Sequence, residues 1–375
     1  MGFVKTYGTD VLDSQGKSLY LQGVGIGNWL LPEGYMFAML KEPRYCSPRG
    51  LEALSRELIG PENSDLFWRE WRMRYFSRED VRCLARDGFN SIRIAYDWKV
   101  FFDEYSLAVK EDGFRLLDDA IAWCREFGMW VILDLHGAPG GQNGTNIDDG
   151  WGYPWLFLSE RDQQRLCDIW RIFAERYCDE EIILGYDLLN EPLPEAHKEY
   201  NHLLFPLYER IGRAIREVDR EHTLILEGVN WASDFSALGE PFDDNVIYQF
   251  HKYWNDNTTE AIQRFLDYRD RYKVPIWCGE TGENDYAWYR DCSRLLREHN
   301  IGWNLWPHKK RGENASPYNI LMPEEWGAVL HYAQTGERPS LDISRAAFSG
   351  LLDAVVIDRC ERDGVAIESW LHPER

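Results

Sequence analysis

Short apolar runs rich in β-branched and aromatic residues recur along the chain: LYLQGVGIG (19–27), FNSIRIAY (89–96), MWVILDLH (129–136), EIILGYDLLN (181–190), HTLILEG (222–228), NVIYQFH (245–251), VPIWCGE (274–280) and IGWNLW (301–306). Each has the length and composition of a buried strand. Between most of them lie stretches with apolar residues at helical spacing, often closed by Gly or Asn. Among these are REDVRCLARDG (78–88), RLLDDAIAWCREFG (115–128), QRLCDIWRIFAERY (164–177), LYERIGRAIREVD (207–219), TEAIQRFLDYRDRY (259–272) and WYRDCSRLLREHN (288–300). Parallel strands need crossover helices. Eight such units without a shift of composition therefore predict one α/β domain over residues 1–375, a (β/α)8 TIM barrel. A doubly wound open sheet is the alternative.

Two segments fall outside the alternation. GTDVLDSQGKSLYLQG (8–23), with a Ser-Gln-Gly turn between short strand-like runs, predicts an N-terminal hairpin closing the bottom of the barrel. Residues 30–78 are too many for a simple crossover, and they and residues 138–160 are expected to elaborate the top face.

At 375 residues and 44% hydrophobic the chain can bury a large core. A net charge of -21 argues against a grip on nucleic acid or on an anionic membrane, since both would be repelled. Seventeen Trp and twenty Tyr exceed what a core needs, so some are expected to line a ligand surface. The cysteines (46, 83, 124, 167, 178, 278, 292 and 360) show no metal-ligand spacing, and Cys83, Cys124 and Cys167 sit in helical apolar patterns as small hydrophobes. MGFVKTYGTD lacks a basic region followed by an apolar run, so the chain as given reads as cytoplasmic, or as secreted if a leader was removed. The permissive patterns for myristoylation (MGFVKT) and glycosylation (Asn143, Asn257, Asn314) carry little weight.

In a barrel of this kind the chemistry gathers where strands end at their C-terminal side. There the runs carry Arg93, Asp134-Leu-His136, Asn190-Glu191, His251-Lys-Tyr253, Glu280 and Trp306. Each alone has a plainer explanation: a buried ion pair for Arg93, a satisfied core histidine for His136, a plug of the barrel mouth for Trp306. Together they point to one opening. Carboxylates on strands four and seven would face each other across it, an arrangement that can protonate a leaving oxygen on one side of an acetal and attack its carbon from the other. Glu191 then reads as general acid and Glu280, near Arg93 and Tyr253, as an ionised nucleophile. Asn190-Glu191-Pro192 would end its strand so that the carboxylate points into the opening.

These residues resemble those of the family 5 glycoside hydrolases, the cellulase family of retaining β-glycosidases. NEP at 190–192 resembles the acid/base motif and GE at 279–280 the nucleophile motif. RIAYDW (93–98), DLHGAPGGQNG (134–144), His251-x-Tyr253 and Trp306 resemble other active-site positions. DLHGAPGGQNG and GNWLLPE (27–33) are most similar to the exo-β-1,3-glucanase and β-glucosidase branch. That resemblance implies that Glu33 holds sugar hydroxyls, Asn190 bonds the 2-hydroxyl and Trp306 floors the cleavage subsite. The loops GTNIDDGWGYPWLF and WPHKKRGENASPYN depart from the family. Trp151, Trp155, Trp254 and Trp288 are stacking candidates, and Lys309 reads as a hydroxyl donor or a solvated charge.

The expected partner is a β-linked oligosaccharide or glycoside. The first apolar run offers GVGIG rather than a His-x-His pair, and no Gly-rich phosphate loop precedes a helix, so neither metal nor nucleotide cofactor is expected. Exo action is favoured by the long first loop with Glu33. An open-cleft endo-β-1,4-glucanase or mannanase, and a non-catalytic carbohydrate-binding barrel, are the alternatives.

Overall fold

The computed structural model describes residues 2–312 and 316–374. Eight parallel strands close into a barrel: β1 (Gln22–Leu30), β2 (Ser91–Asp97), β3 (Trp130–Gly137), β4 (Ile183–Asp187), β5 (Thr223–Glu227), β6 (Val246–Tyr253), β7 (Ile276–Gly282) and β8 (Trp303–Trp306). β8 completes the ring by pairing with β7 and with β1, where Trp303 lies opposite Gln22. The doubly wound alternative is thereby set aside.

The helices are α1 (Pro48–Ile59), α2 (Pro61–Tyr75), α3 (Arg78–Asp87), α4 (Glu111–Phe127), α5 (Glu160–Tyr177), α6 (Leu204–Arg216), α7 (Thr259–Tyr272), α8 (Tyr286–Glu298), α9 (Trp326–Thr335), α10 (Leu341–Ala354) and α11 (Gly364–Leu371). The six expected from apolar spacing all form, as α3 to α8. α3 shows why: Asp80 at its third position caps the Ser77 N–H, and Gly88 closes it in the left-handed region. After β5 the chain makes a short turn, Val229–Ala232, with Asn230 and Trp231 at positive φ.

The N-terminal segment closes the barrel floor, as expected. Lys5–Tyr7 pairs antiparallel with Asp10–Leu12, and the turn at Ser14–Gly16 leads into a bridge between Leu12 and Ser18. Val4 and Leu21 pack on Ile132, Leu184, Ile225, Ile247 and Trp277, inward residues near the N-terminal ends of β3 to β7.

Residues 30–78 are largely helical. α1 and α2 pack against each other and against α10, and the second clamps the end of β1. The Trp71 indole N–H donates to Asn28 O (2.9 Å), and that of Trp29 to Arg72 O (2.7 Å). Asn28, at φ 67°, accepts the Glu33 N–H on its side chain (3.1 Å), so this clamp sets the backbone that presents Glu33.

Beyond β8, Lys309 is neither a hydroxyl donor nor a solvated charge. It is fully buried, with Nζ 2.7 Å from both Asp80 Oδ1 and Val355 O and 4.7 Å from the Tyr75 ring centre. Asn143 is likewise no exposed acceptor: it is buried and donates to Glu191 O (2.6 Å). Asn257 donates to Trp288 O, and Asn314 lies outside the described residues. All eight cysteines are free thiols, with Cys83, Cys124 and Cys167 buried. Among the described residues no helix is long and apolar enough to cross a membrane.

Candidate active site

Strand register assembles the site. It sets Asp134 of β3 beside Asp187 of β4, Glu227 of β5 beside Gln249 of β6, and His251 of β6 beside Glu280 of β7. Arg93 on β2 is fully buried at the hub. Its Nε meets Asp187 Oδ2 (2.7 Å), its Nη1 meets Glu280 Oε1 (2.5 Å) and Asp134 Oδ2 (3.1 Å), and its Nη2 donates to Asn190 Oδ1 (2.9 Å) and Glu227 Oε1 (2.8 Å). One guanidinium among four carboxylates in a low-dielectric interior leaves excess negative charge, which favours the protonated form of the most buried of them. Burial, ahead of the opposing pull of Arg93, raises Asp134 and lifts Asp187 to about 7. It raises Glu227 as well, against the attraction of His251.

Glu191 follows β4 by a sharper route than the sequence suggested. The strand ends at Asp187, not Asn190, and the chain turns out of the ladder with Glu191 and Leu193 at φ 44° and 50°. Three side chains hold this turn. Glu227 Oε2 accepts the Glu191 N–H (2.7 Å), Asn143 donates to Glu191 O, and Gln142 donates to Asn190 O (2.9 Å). Glu280 instead lies within β7, where it also accepts the Tyr253 hydroxyl (3.0 Å). His251 stands between the two: Nδ1 is 2.7 Å from Glu191 Oε1 and 3.5 Å from Glu280 Oε2. Burial works against charge on this imidazole, but Glu227 and then Glu280, with hydrogen bonds to Glu191 and Glu227, hold its pKa well above the usual histidine value.

His136 is the opposite case. Burial drives it down to about 3, a neutral ring whose Nδ1–H donates to Asp134 Oδ2 (2.7 Å) while Nε2 accepts from Asn190 Nδ2 (3.1 Å). Trp306 stacks on this ring and donates its indole N–H to Tyr35 Oη (2.9 Å). Glycines in β1 make the room: a Cβ on Gly25 or Gly27 would sit 2.3 or 2.6 Å from the indole. Tyr35 in turn reaches Glu283 Oε1 (3.5 Å), which Lys310 neutralises at 2.5 Å. Glu33 is 2% exposed, and its Oε1 has no hydrogen-bond partner among the described residues. Burial, then Glu280 and Glu191, push its carboxyl well above the usual range, and its Oε1 is left as a free acceptor.

Every residue expected in the site therefore gathers on one network, with Glu33 joined to it through the electrostatic influence of Glu280 and Glu191. Of the four stacking candidates, Trp254 adjoins it through Tyr253 and Glu283, whereas Trp151 and Trp155 stand apart. Trp151 and Trp155 are exposed and line a cleft of about 300 Å³ with Arg49, Asp162 and Arg165, a lining that contains neither Glu191 nor Glu280. Trp254 is 71% exposed beside Tyr253 and is pinned through its N–H to Glu283 O (3.0 Å). Trp288 packs under Lys252. Sequence reasoning missed Glu227, Asp187, Gln249, Gln142 and the Tyr35–Glu283–Lys310 chain. Glu227 was findable, since it closes an apolar run as Glu280 does. Donor atoms of Asp134, His136 and Glu280, and of Glu191, His251 and Glu280, each lie within 4.8 Å of one another; Asp134 and Glu280 already share Arg93, and Glu191 meets His251.

The family model for Cellulase (glycosyl hydrolase family 5) matches residues 55–312, which include β2 to β8, and the chain belongs to this family of glycosidases. A β-xylosidase of Phanerodontia chrysosporium is 29% identical over 350 residues, covering 83% of this chain and 72% of the relative. A sporulation-specific glucan 1,3-β-glucosidase of Saccharomyces cerevisiae is 28% identical over 351 residues, covering 84% and 77%. Among solved structures, an endogalactoceramidase shares the fold with a TM-score of 0.62 at 17% identity, over 82% of this chain and 75% of that one.

Proposed function

We propose that this chain is a retaining β-glycosidase that releases sugar from the ends of β-linked glucosides or glucans, with Glu280 as nucleophile and Glu191 as acid and base. The observation that carries the reading is the single ring nitrogen of His251 standing 2.7 Å from one carboxylate and 3.5 Å from the other. One oxygen of each lies within 4.8 Å of the other, a close pairing suited to direct attack. An inverting pair stands about 6.5–9.5 Å apart to admit a water.

In the first step Glu280 Oε attacks the anomeric carbon while Glu191 gives its proton to the departing glycosidic oxygen. In the second, Glu191 takes a proton from water, which displaces Glu280 and restores the starting configuration. Arg93 and Tyr253 keep the Glu280 carboxylate oriented. Asn190, fixed between Arg93 and His136, has a donor for the 2-hydroxyl, Trp306 offers a flat apolar floor for the sugar's C–H face, and the free Oε1 of Glu33 can accept from a sugar hydroxyl.

Exo action is supported by enclosure: Glu33, Glu191, Glu280 and Trp306 are 2%, 8%, 4% and 4% exposed, as in a pocket that admits a chain end. One observation favours the endo reading, the exposed and pinned Trp254, which could seat further sugar units. Product lengths over time decide between them. Laminarin, soluble cellulose, mannan and aryl β-glycosides are incubated with the enzyme. Monosaccharide alone from the outset supports exo action, whereas an early spread of oligosaccharides overturns it.

A further inference from the structure

Glu227 is fully buried at the end of β5, and its two oxygens reach both halves of the pair. Oε2 accepts the Glu191 N–H at 2.7 Å, holding a non-glycine residue in the left-handed region. Oε1 accepts from Arg93 Nη2 (2.8 Å), whose Nη1 holds Glu280, and from Gln249 Nε2 (2.5 Å), and lies 3.4 Å from His251 Nε2. Gly279 leaves the space for this amide, since a Cβ there would lie 2.1 Å from Gln249 Cδ.

We propose that Glu227 is a positioning residue that couples the two catalytic carboxylates, one oxygen fixing the turn that aims Glu191 and the other sustaining the charge of His251 between Glu191 and Glu280. This rests on the assignment of Glu191 and Glu280 made above.

Several elements face His251. Glu191 and Asp187 come from β4 and the turn after it, Asp134 and His136 from β3, Glu280 from β7, Arg93 from β2 and Gln249 from its own strand. Among the carboxylates of the described residues, Glu227 alone lies on the Nε2 side within 3.4 Å. The Gln249 amide points Nε2 at His251 Nε2 (3.1 Å) and leaves its Oε1 without a partner. Turning it over would give His251 an acceptor, and would set the amide oxygen against Glu227 Oε1 at a separation only a shared proton tolerates. In either orientation Glu191, His251 and Glu227 act as one titrating unit. Removing a negative charge from such a unit lowers the pH at which it gives up its proton, whichever member holds it.

The test is the pH dependence of kcat/KM on aryl β-glycosides. Glu227→Gln can keep an acceptor for the Glu191 N–H but removes the charge and sets an amide N–H2 where Oε1 accepted from Arg93 and Gln249; Glu227→Asp keeps the charge. With Glu227→Gln the alkaline limb should move to lower pH by about one unit or more, with a larger loss of kcat on poor leaving groups than on good ones and a KM within about threefold of native. Glu227→Asp should leave the limb in place. Superposable profiles for Glu227→Gln and native enzyme, or equal shifts in both variants, overturn the proposal. Should Glu227→Gln fail to fold, the 15N shifts of the His251 ring in the native protein decide: an imidazolium persisting well above pH 7 supports the proposal and a neutral ring overturns it. Glu191→Ala and Glu280→Ala run alongside. Full activity in those would sink the catalytic assignment itself, which is distinct from failure at Glu227.

Discussion

The Trp306 indole lies flat against the His136 imidazole, ring centroids 5.2 Å apart and planes 3° from parallel. With its edge tied to Tyr35 and its body admitted by Gly25 and Gly27, the ring has little freedom. Trp306→Phe removes the donor to Tyr35 and part of the platform. KM for a simple aryl glycoside should rise about tenfold, corresponding to the ~1.4 kcal/mol of a stacking and hydrogen-bond contribution. Thermal unfolding should move little, and steady-state kinetics with a melting curve checks both.

Glu280→Ala should lose natural turnover by about 10⁴-fold or more, because the covalent step has no nucleophile. Added azide should then restore turnover of an activated glycoside with inverted product, since the small anion attacks from the face Glu280 vacated. NMR of the glycosyl azide reads the configuration.

Glu191→Ala should spare substrates whose leaving group departs without a proton. A dinitrophenyl glycoside should retain most of its first-step rate, while an unactivated disaccharide falls by about 10³-fold or more. Equal losses on both would remove Glu191 from the acid role.

Lys309 and Asp80 form a buried pair between α3 and the chain after β8. Removing one partner strands the other charge, so Lys309→Met alone should cost about 3–5 kcal/mol. Combining it with Asp80→Asn should recover part of that loss. Denaturant unfolding of the two single variants and the double variant gives the coupling directly.

Asp219 predicts a pH dependence of stability. Burial acts to raise its carboxyl, but the hydrogen bond and attraction of His222, then the Tyr186 hydroxyl and the Glu221 N–H, bring it down to about 2. A depressed folded-state value contributes stability above the unfolded value and loses it as pH falls toward 2. Asp219→Asn should therefore be about 2 kcal/mol less stable near neutrality. The gap should shrink below about pH 4 and close near pH 2, as urea titrations at several pH values would show.

What could be read from the sequence divides by range of interaction. His136, Asn190, Glu191, His251, Glu280 and Trp306 were legible because each lies at or just beyond the end of an apolar run, and a barrel turns that local position into a shared one, while Arg93 stood out as a charge inside such a run. Glu227 and Gln249 lie in the same kind of place but lacked a motif to single them out. Lys309 was misread because its partner, Asp80, is 229 residues away, and a lysine in the basic stretch HKKR looks solvated. The turn at Glu191 was blurred too: LLN reads as strand, and only side chains from Gln142, Asn143 and Glu227 make the left-handed backbone there affordable.

The loop after β3 that offers Trp151 and Trp155 to the surface also sends Gln142 and Asn143 inward to grip the backbone of Asn190 and Glu191. Asp148 cinches its base by accepting the N–H groups of Asn143, Gly144 and Gly150. Anyone recutting this loop to alter specificity inherits that dual duty. Variation at Trp151 and Trp155 leaves those grips alone, while a library that touches Gln142, Asn143, Asp148, or Thr145, whose hydroxyl donates to Asn143 Oδ1 (2.6 Å), detunes the acid, and its losses would be mistaken for poor binding.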